Sequence, residues 1–342
     1  MNRSTVLIGL LIVVSGRHLP AADRNSVEDS STDIGSRREL FIDRALVKSV
    51  SGDARFELHH PEPREIALVH DAPWEGTGSG YHSVFQDGDK YRMYYKAWHL
   101  DVSDGRVKTN SHPLYCCCAE SDDGIHWRKP ELGIVSFNGS TANNIVLQPE
   151  TIGDVTSDPG HPAVFRDDNP NCPPELRYKA VIRSAKPHGL LYFGSADGLH
   201  WTLQHPQPVI TAGAFDSQNL AFFDPNISAF RAYWRIFTAG KTDGDDWKPA
   251  GHRAIRTAVS RDLIHWDQWQ DLTYVDSPSE QLYTNVIKPY HRAPHLLIGF
   301  PTRYIERGWS DSMRSLPEPG HREQRAKAGL RYGTAITEAL LM

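Results

Sequence analysis

Cys118–Trp127 reads CAESDDGIHW, Phe193–Trp201 reads FGSADGLHW, and Ala258–Trp266 reads AVSRDLIHW. One pattern, Ser-x-Asp-(Gly/Leu)-x-His-Trp, is written three times, each time directly after a run of strand-forming residues. The closing tryptophans, 127, 201 and 266, lie 74 and then 65 residues apart. A recurring period identifies the structural unit of a chain, so it is settled first. Each tag ends a similar unit. In the first, Ser83–Trp98 (SVFQDGDKYRMYYKAW) is a strand, an Asp-Gly-Asp turn and an aromatic strand, a strong hairpin signal. Leu114–Ser121 (LYCCCAES) is the third strand and runs into the tag.

The order then repeats. Ala163–Asp167, Leu176–Ser184 and Leu190–Ser195 precede the second tag; Asn219–Asp224, Phe230–Thr238 and Ala254–Ser260 precede the third. A fourth unit begins at Thr284–Tyr290, continues through His295–Tyr304 and reaches YGTAITEALLM at Met342, where a fourth tag would be due. Few stretches have a helical pattern. A four-stranded blade with its loops occupies about this period, so the expected fold is all-β: a β-propeller of four-stranded antiparallel blades. It is read as five-bladed in type with the last blade or blades incomplete. A β-sandwich also has many short strands, but nothing in it requires the same tag at the end of every unit.

The tag has a structural reading. Serine and aspartate side chains bond backbone NH groups and shape a tight turn between third and fourth strands. Gly124 and Gly198 suit a left-handed turn position. Leu263 replaces glycine in the third copy, so that turn is expected to be built differently. The tryptophan restarts the next strand and packs between blades.

Bulk properties bound the function. The 342 residues are 39% hydrophobic and 10% aromatic, enough for one large domain or two smaller ones. A formal charge of -5 without basic runs excludes a nucleic-acid surface and a membrane-binding face. A neutral or modestly charged ligand fits. Met1-Asn2-Arg3, the apolar Val6–Val14 and the small-residue ending of Ser15–Ala22 read as a signal peptide over residues 1–22. The apolar run is too short to span a membrane. Residues 23–38 are a polar, flexible lead-in, and 39–342 form a single propeller domain whose first strand is Glu39–Val50. The product is expected outside the cytoplasm, secreted or periplasmic, with no membrane contact after cleavage. Cys116, Cys117 and Cys118 are consecutive and alternate between strand faces, which does not suit a metal site. They read as small buried residues, with pairing of one to Cys172 left open.

The tags, above all SRDLIHW, resemble those of the five-bladed propeller glycoside hydrolases of families 32, 43, 62, 68, 117 and 130. The resemblance extends from about Phe41 to the C-terminus. ELFID (Glu39–Asp43), PWEG (Pro73–Gly76) and FDSQN (Phe215–Asn219) look like an exported branch common in polysaccharide-degrading bacteria. The resemblance implies a sugar-holding funnel at the propeller axis, lined by the entrances of the inner strands. Glycosidic cleavage needs a carboxylic acid to protonate the leaving oxygen and a second carboxylate to activate water or attack the sugar.

On that reading Glu280 is the general acid, as a glutamate on a later blade is in family 43. Asp216 is a base or a group that tunes the acid, and Asp158 is a third carboxylate. Glu75, His82, His161, Gln218, Tyr283 and Asn285 are the substrate-binding candidates, and Trp74, Trp98 and Trp234 could stack on sugar rings or pack the core. Two departures stand. Family 43 carries an aspartate in a D-P-S-I-I pattern where this chain has Tyr81-His82-Ser83-Val84-Phe85. Its A-P-D-V pattern is answered by His161-Pro162-Ala163-Val164. Asp158, Glu75 or Asp43 could stand in. No cofactor and no metal ligand set is implied; a structural or axial cation such as calcium would sit by His82 and His161. The partner is a carbohydrate. The rival reading is a carbohydrate-binding or scaffold propeller without turnover. A sialidase is disfavoured by the shortened tag and by the lack of an arginine triad at the strand entrances. The missing fourth tag suggests a chain shorter than its relatives, with an incomplete ring.

Overall fold

The computed structural model describes residues 32–342 except 42–43, 58, 110 and 276. The expected signal peptide, much of the lead-in and Asp43 lie outside the described residues. The first sheet holds β1 (Gly78–Asp87), β2 (Lys90–Trp98), β5 (Tyr115–Ser121) and β6 (Trp127–Arg128) in that order. A small hairpin, β3 (Asp101–Ser103) and β4 (Arg106–Lys108), projects between β2 and β5, and β7 (Ile145–Leu147) joins the edge of β5. The β1–β2 turn is Gly88-Asp89, with Gly88 at φ +68°, as a two-residue hairpin loop requires.

The second sheet runs β8 (Thr151–Ile152), β9 (Val155–Arg166), β10 (Tyr178–Lys186), β11 (Gly189–Ser195) and β12 (Thr202–Leu203). The third runs β13 (Leu220–Asp224), β14 (Ala229–Lys241), β15 (Lys248–Ser260) and β16 (Trp266–Asp271). The fourth unit is two separate pairs, β17 (Ile287–Tyr290) with β18 (Ala293–Gly299), and β19 (Thr302–Ile305) with β20 (Ile336–Ala339). The opening strands β1, β9, β13 and β17 lie side by side. Lys288 Nζ donates to Val84 O at 3.4 Å, bringing the fourth unit round to the first. Successive antiparallel sheets whose first strands surround one axis are β-propeller architecture.

The core is a set of layers between sheets. Tyr94, Cys116 and Cys118 meet Val164, Ile182, Leu191 and Phe193 between the first and second. Phe165, Val181 and Tyr192 meet Phe230, Trp234, Leu263 and Trp266 between the second and third. Leu220, Phe222 and Tyr233 meet Leu282, Ile287 and Met342 between the third and fourth. All four cysteines are free, so the Cys172 pairing left open by the sequence is not made.

The three tags are built alike. Ser121, Ser195 and Ser260 Oγ accept from the backbone NH three residues on at 2.9, 2.9 and 2.8 Å. Asp123, Asp197 and Asp262 Oδ1 each accept two further backbone NH groups, and their Oδ2 meets the tag histidine at 2.6–2.8 Å. Leu263 sits at φ +66° beside +77° for Gly124 and +78° for Gly198. The third turn is therefore not built differently, contrary to expectation. Leu263 takes the left-handed conformation, and its side chain is wholly buried in the layer below. Trp127 and Trp266 Nε1 donate to the carbonyl of Gly124 and Leu263, both at 3.1 Å. In the second tag that carbonyl, Gly198 O, accepts from Tyr94 Oη of the preceding sheet at 3.0 Å.

Three expectations for the strands change. Glu39–Val50 is not a strand among its described residues: Phe41 is 69% exposed and no neighbouring strand pairs with it, and an unpartnered strand has no ladder to hold it. Residues 44–57 and 59–70 likewise supply no strand of a fifth blade. His295–Tyr304 breaks into β18 and β19 at Phe300-Pro301, where Pro301 has no NH for a ladder. The chain between β19 and β20 is helical: α1 (Asp311–Arg314), α2 (Pro319–Ala328) and α3 (Leu330–Thr334), with Ser310 capping α1 through Met313 N at 3.1 Å. Helix α2 packs on the β3–β4 hairpin of the first sheet.

Candidate functional site

The entrances of the inner strands converge on one cluster. In β9 the register slips between Asp158 and Pro162, so three residues stand out of the ladder. The excursion folds Asp158 onto its own neighbours. Asp158 Oδ1 accepts from Gly160 N at 3.0 Å, and Oδ2 lies 3.0 Å from His161 Nδ1. A Cβ at Gly160 would stand 2.9 Å from the Leu114 side chain and 3.1 Å from Asp158 Oδ1, so the close approach calls for glycine. Arg183 of β10, opposite Asp158 in the ladder, ion-pairs with the same Oδ2.

Tyr81 of β1 occupies a matching slip at φ +55°, and its ring is 5.5 Å from that of His161. Asp216, before β13, pairs with Arg235 of β14; the aspartate side chain is 56% exposed and the arginine 4%. Arg235 stands 5.0 Å from the Tyr283 ring, and Arg253 of β15 stands 5.7 Å from it. Lys96 of β2 completes the cluster, its Nζ 5.4 Å from the Tyr81 ring and 4.9 Å from the Trp98 ring.

These contacts set protonation. Burial would raise the Asp158 carboxyl, but His161 and Arg183 outweigh it and hold it well below the usual range. For Asp216 desolvation is outweighed by Arg235, then His161 and Arg183, and its carboxyl is also lowered. Burial pushes His161 below its ordinary value against the pull of Asp158, which favours a neutral ring. Burial raises Tyr81, keeping its hydroxyl protonated, and lowers Lys96, with Asp158 and Asp216 opposing. The site thus offers two ionised carboxylates, one of them open to solvent, set among cations, a neutral imidazole and aromatic rings.

Of the residues singled out from the sequence, Asp158, His161, Asp216 and Tyr283 come together here. The others do not. Both Glu280 oxygens are taken by Arg303, at 2.8 and 3.1 Å, and Arg303 also binds Glu338. That group borders a separate cleft of about 830 Å³ between the third sheet and the C-terminal strands, and only Arg253 is common to the cleft and the axial cluster. Glu75 is a buried tie within the first unit, held by Tyr95 Oη at 2.6 Å, Lys129 Nζ at 2.7 Å and Ala72 N at 2.8 Å. His82, beside Tyr81 in the same slip, makes its contacts elsewhere in the first unit. It lies 3.2 Å from His70 Nε2 and stacks on Tyr95. Gln218 and Asn285 clasp β13 to β17: Gln218 Oε1 accepts from Asn285 N and Val286 N, and Asn285 Nδ2 donates to Gln218 O at 3.1 Å. Trp234 is core, Trp74 packs on the outer face of the first sheet, and Trp98 alone of the three borders the site. Among the described residues no group of three or more His, Cys, Asp or Glu is arranged to hold a metal ion.

Lys96, Arg183, Arg235 and Arg253 escaped the sequence reading, which looked for arginines at the entrances. They come from second and third strands instead. A signal existed: YYKA, VIRS and YWRI place a cation at the same point of the second strand in three successive units. A charge recurring at one point of a largely buried strand needs a partner, and here it finds the facing entrance.

No protein-family model matches the chain, and no curated protein does. Several solved structures are similar to it. One is a glycosyl hydrolase from Bacteroides ovatus, with 15% identity over 65% of this chain and 60% of that one and a TM-score of 0.36. Another is an N-acetylgalactosamine deacetylase from F. plautii in complex with blood group B trisaccharide, with 13% identity over 77% and 71% and a TM-score of 0.43. A third is a family 117 glycoside hydrolase from the marine bacterium Zobellia galactanivorans, with 10% identity over 69% and 66% and a TM-score of 0.42. The chain spans 60% of the length of the first of these.

Proposed function

We propose that this chain is a glycoside hydrolase-like propeller that holds a polysaccharide or oligosaccharide at its axial cluster. The observation that carries the reading is the meeting of Tyr81, Asp158, His161, Asp216 and Tyr283, drawn from four successive units, at one place on the axis. Aromatic faces suit sugar rings, and paired carboxylates suit the glycosidic bond. Asp216 is the group open to a ligand and serves as the base toward water, with Asp158 as the fixed charge behind it. Neither, as paired here, carries the proton that the leaving oxygen needs. Glu280, the acid candidate, lies in the adjoining cleft with both oxygens on Arg303. Export is part of the proposal, resting on residues 1–22; among the described residues no helix is long and apolar enough to cross a membrane.

One observation favours a second reading, sugar binding without turnover. Both axial carboxylates are held ionised by cations, so the cluster gathers no carboxylic acid. Reducing-sugar release from a panel of plant and algal glycans separates the two. Turnover lost in Asp216→Asn and in Glu280→Gln supports hydrolysis. Binding with no release by the unaltered protein sinks it and leaves the second reading.

A further inference from the structure

The chain as a whole carries a formal charge of -5, yet its axial cluster has the opposite sign. Four basic side chains, Lys96, Arg183, Arg235 and Arg253, gather with two carboxylates, Asp158 and Asp216. The carboxylates are already assigned. Asp158 binds Arg183, and Asp216 binds Arg235. Lys96 makes no hydrogen bond or ion pair with any described residue and rests on the rings of Tyr81 and Trp98. Arg253 has no carboxylate either. One guanidinium nitrogen donates to Gln281, its Nε is buried without a partner, and it stands over Tyr283 and Tyr304. The adjoining Glu280, Arg303 and Glu338 satisfy one another and leave Arg253 unpaired. Buried Arg235 likewise has an unpartnered Nε.

Partly dehydrated cations without counter-charges cost stability unless a ligand supplies the charge. The same groups become an anion site when it does, and a guanidinium fork matches a planar oxyanion well. We infer that the axial site takes a sugar bearing an anionic group, a carboxylate or a sulfate ester, held between Lys96 and Arg253 beside the Tyr81 and Tyr283 rings. This rests on the axial cluster being the sugar site, and it narrows the substrate to acidic or sulfated glycans.

The test titrates the full chain with sodium galacturonate, sodium sulfate and galactose at constant ionic strength, following thermal unfolding and calorimetric heat. The expected result is saturable stabilisation by galacturonate or sulfate, with galactose at least 10-fold weaker. Response to galacturonate alone assigns a carboxylate; response to both assigns a site for either anion. Lys96→Met and Arg253→Met should weaken anion binding at least 10-fold, while Lys96→Arg, which keeps the charge, retains it and controls for folding. Equal response to galactose, or anion binding unchanged in both methionine variants, overturns the inference. Glycan turnover that depends on Asp216 but shows no anion preference removes the inference and keeps the sugar site. Anion binding lost in Lys96→Met, with no glycan bound or cleaved, keeps the anion site and removes the sugar reading.

Discussion

Leu263→Gly sets two effects of known sign against each other. Leu263 holds φ +66°, a conformation that costs a non-glycine residue about 1–2 kcal/mol. Its side chain is fully buried against Ala258 and Trp266 in the layer between the second and third sheets. Truncating a buried leucine to alanine costs about 2–5 kcal/mol, and the last carbon adds roughly 1 kcal/mol. The loss outweighs the relief, and the variant should be less stable by about 2–4 kcal/mol. For a domain of this size that is a fall in melting temperature of roughly 3–6 °C.

The equivalent glycines supply the comparison. A Cβ at Gly124 meets only the Tyr91 ring, at 3.6 Å, so Gly124→Ala should cost about 1 kcal/mol, the backbone effect alone. A Cβ at Gly198 would stand 2.5 Å from Tyr94 Oη and 2.6 Å from an Arg92 nitrogen, so Gly198→Ala should cost clearly more. Urea unfolding of the three variants measures the order. A Leu263→Gly protein as stable as the parent, or more so, would refute the claim that burial, not backbone, decides that position.

Asp158→Asn leaves Arg183 without its counter-charge and His161 without its carboxylate partner. Because Arg183 keeps 30% of its side chain exposed, the cost should be about 1–3 kcal/mol rather than the 3–5 of a fully buried pair; an unchanged denaturation midpoint would contradict it. Acidification should destabilise the fold in two windows. Burial, aided by His70, pushes His82 down to about 4, and burial lowers His161, so the unfolded chain takes up their protons first and stability falls below pH 6.5. Asp158, lowered by its partners, contributes fully above about pH 4 and is lost below it. Melting temperature against pH should therefore drop from 6.5 downward, less so in His82→Gln, and a flat profile would dismiss the reasoning. Thiol titration with an aromatic disulfide should detect Cys172 in the native protein and four thiols after unfolding, since Cys116, Cys117 and Cys118 are buried and burial holds Cys118 up at about 12. Rapid reaction of all four in native buffer would place both faces of the first sheet in solvent.

The strands and their order were readable because their signals are local. The Gly88-Asp89 turn, the aromatic run of β2 and the apolar run of β11 each lie within about a dozen residues. The misreadings arose where a strand needs a neighbour. Glu39–Val50 has strand-forming residues but no ladder beside it, and Tyr332 and Gly333 became helix through the packing of α2 and α3. The site was half legible. Asp158, His161, Asp216 and Tyr283 sit at strand entrances, where a propeller gathers side chains. Glu280 sits at such an entrance too, yet Arg303, 23 residues on, draws it into another cleft.

By itself the sequence determined the repeating unit, because each tag closes on its own residues: serine, aspartate and histidine bond within a span of six in all three, and the tryptophan joins them in the first and third. That chemistry needs no partner from elsewhere, so it shows in the letters. Only the tertiary structure decided which charges meet at the axis. Lys96, Arg183, Arg235 and Arg253 come from four strands of three sheets, and their effect depends on which carboxylates are already taken. Pairing of that kind is a property of distances across the ring, which no spacing along the chain records.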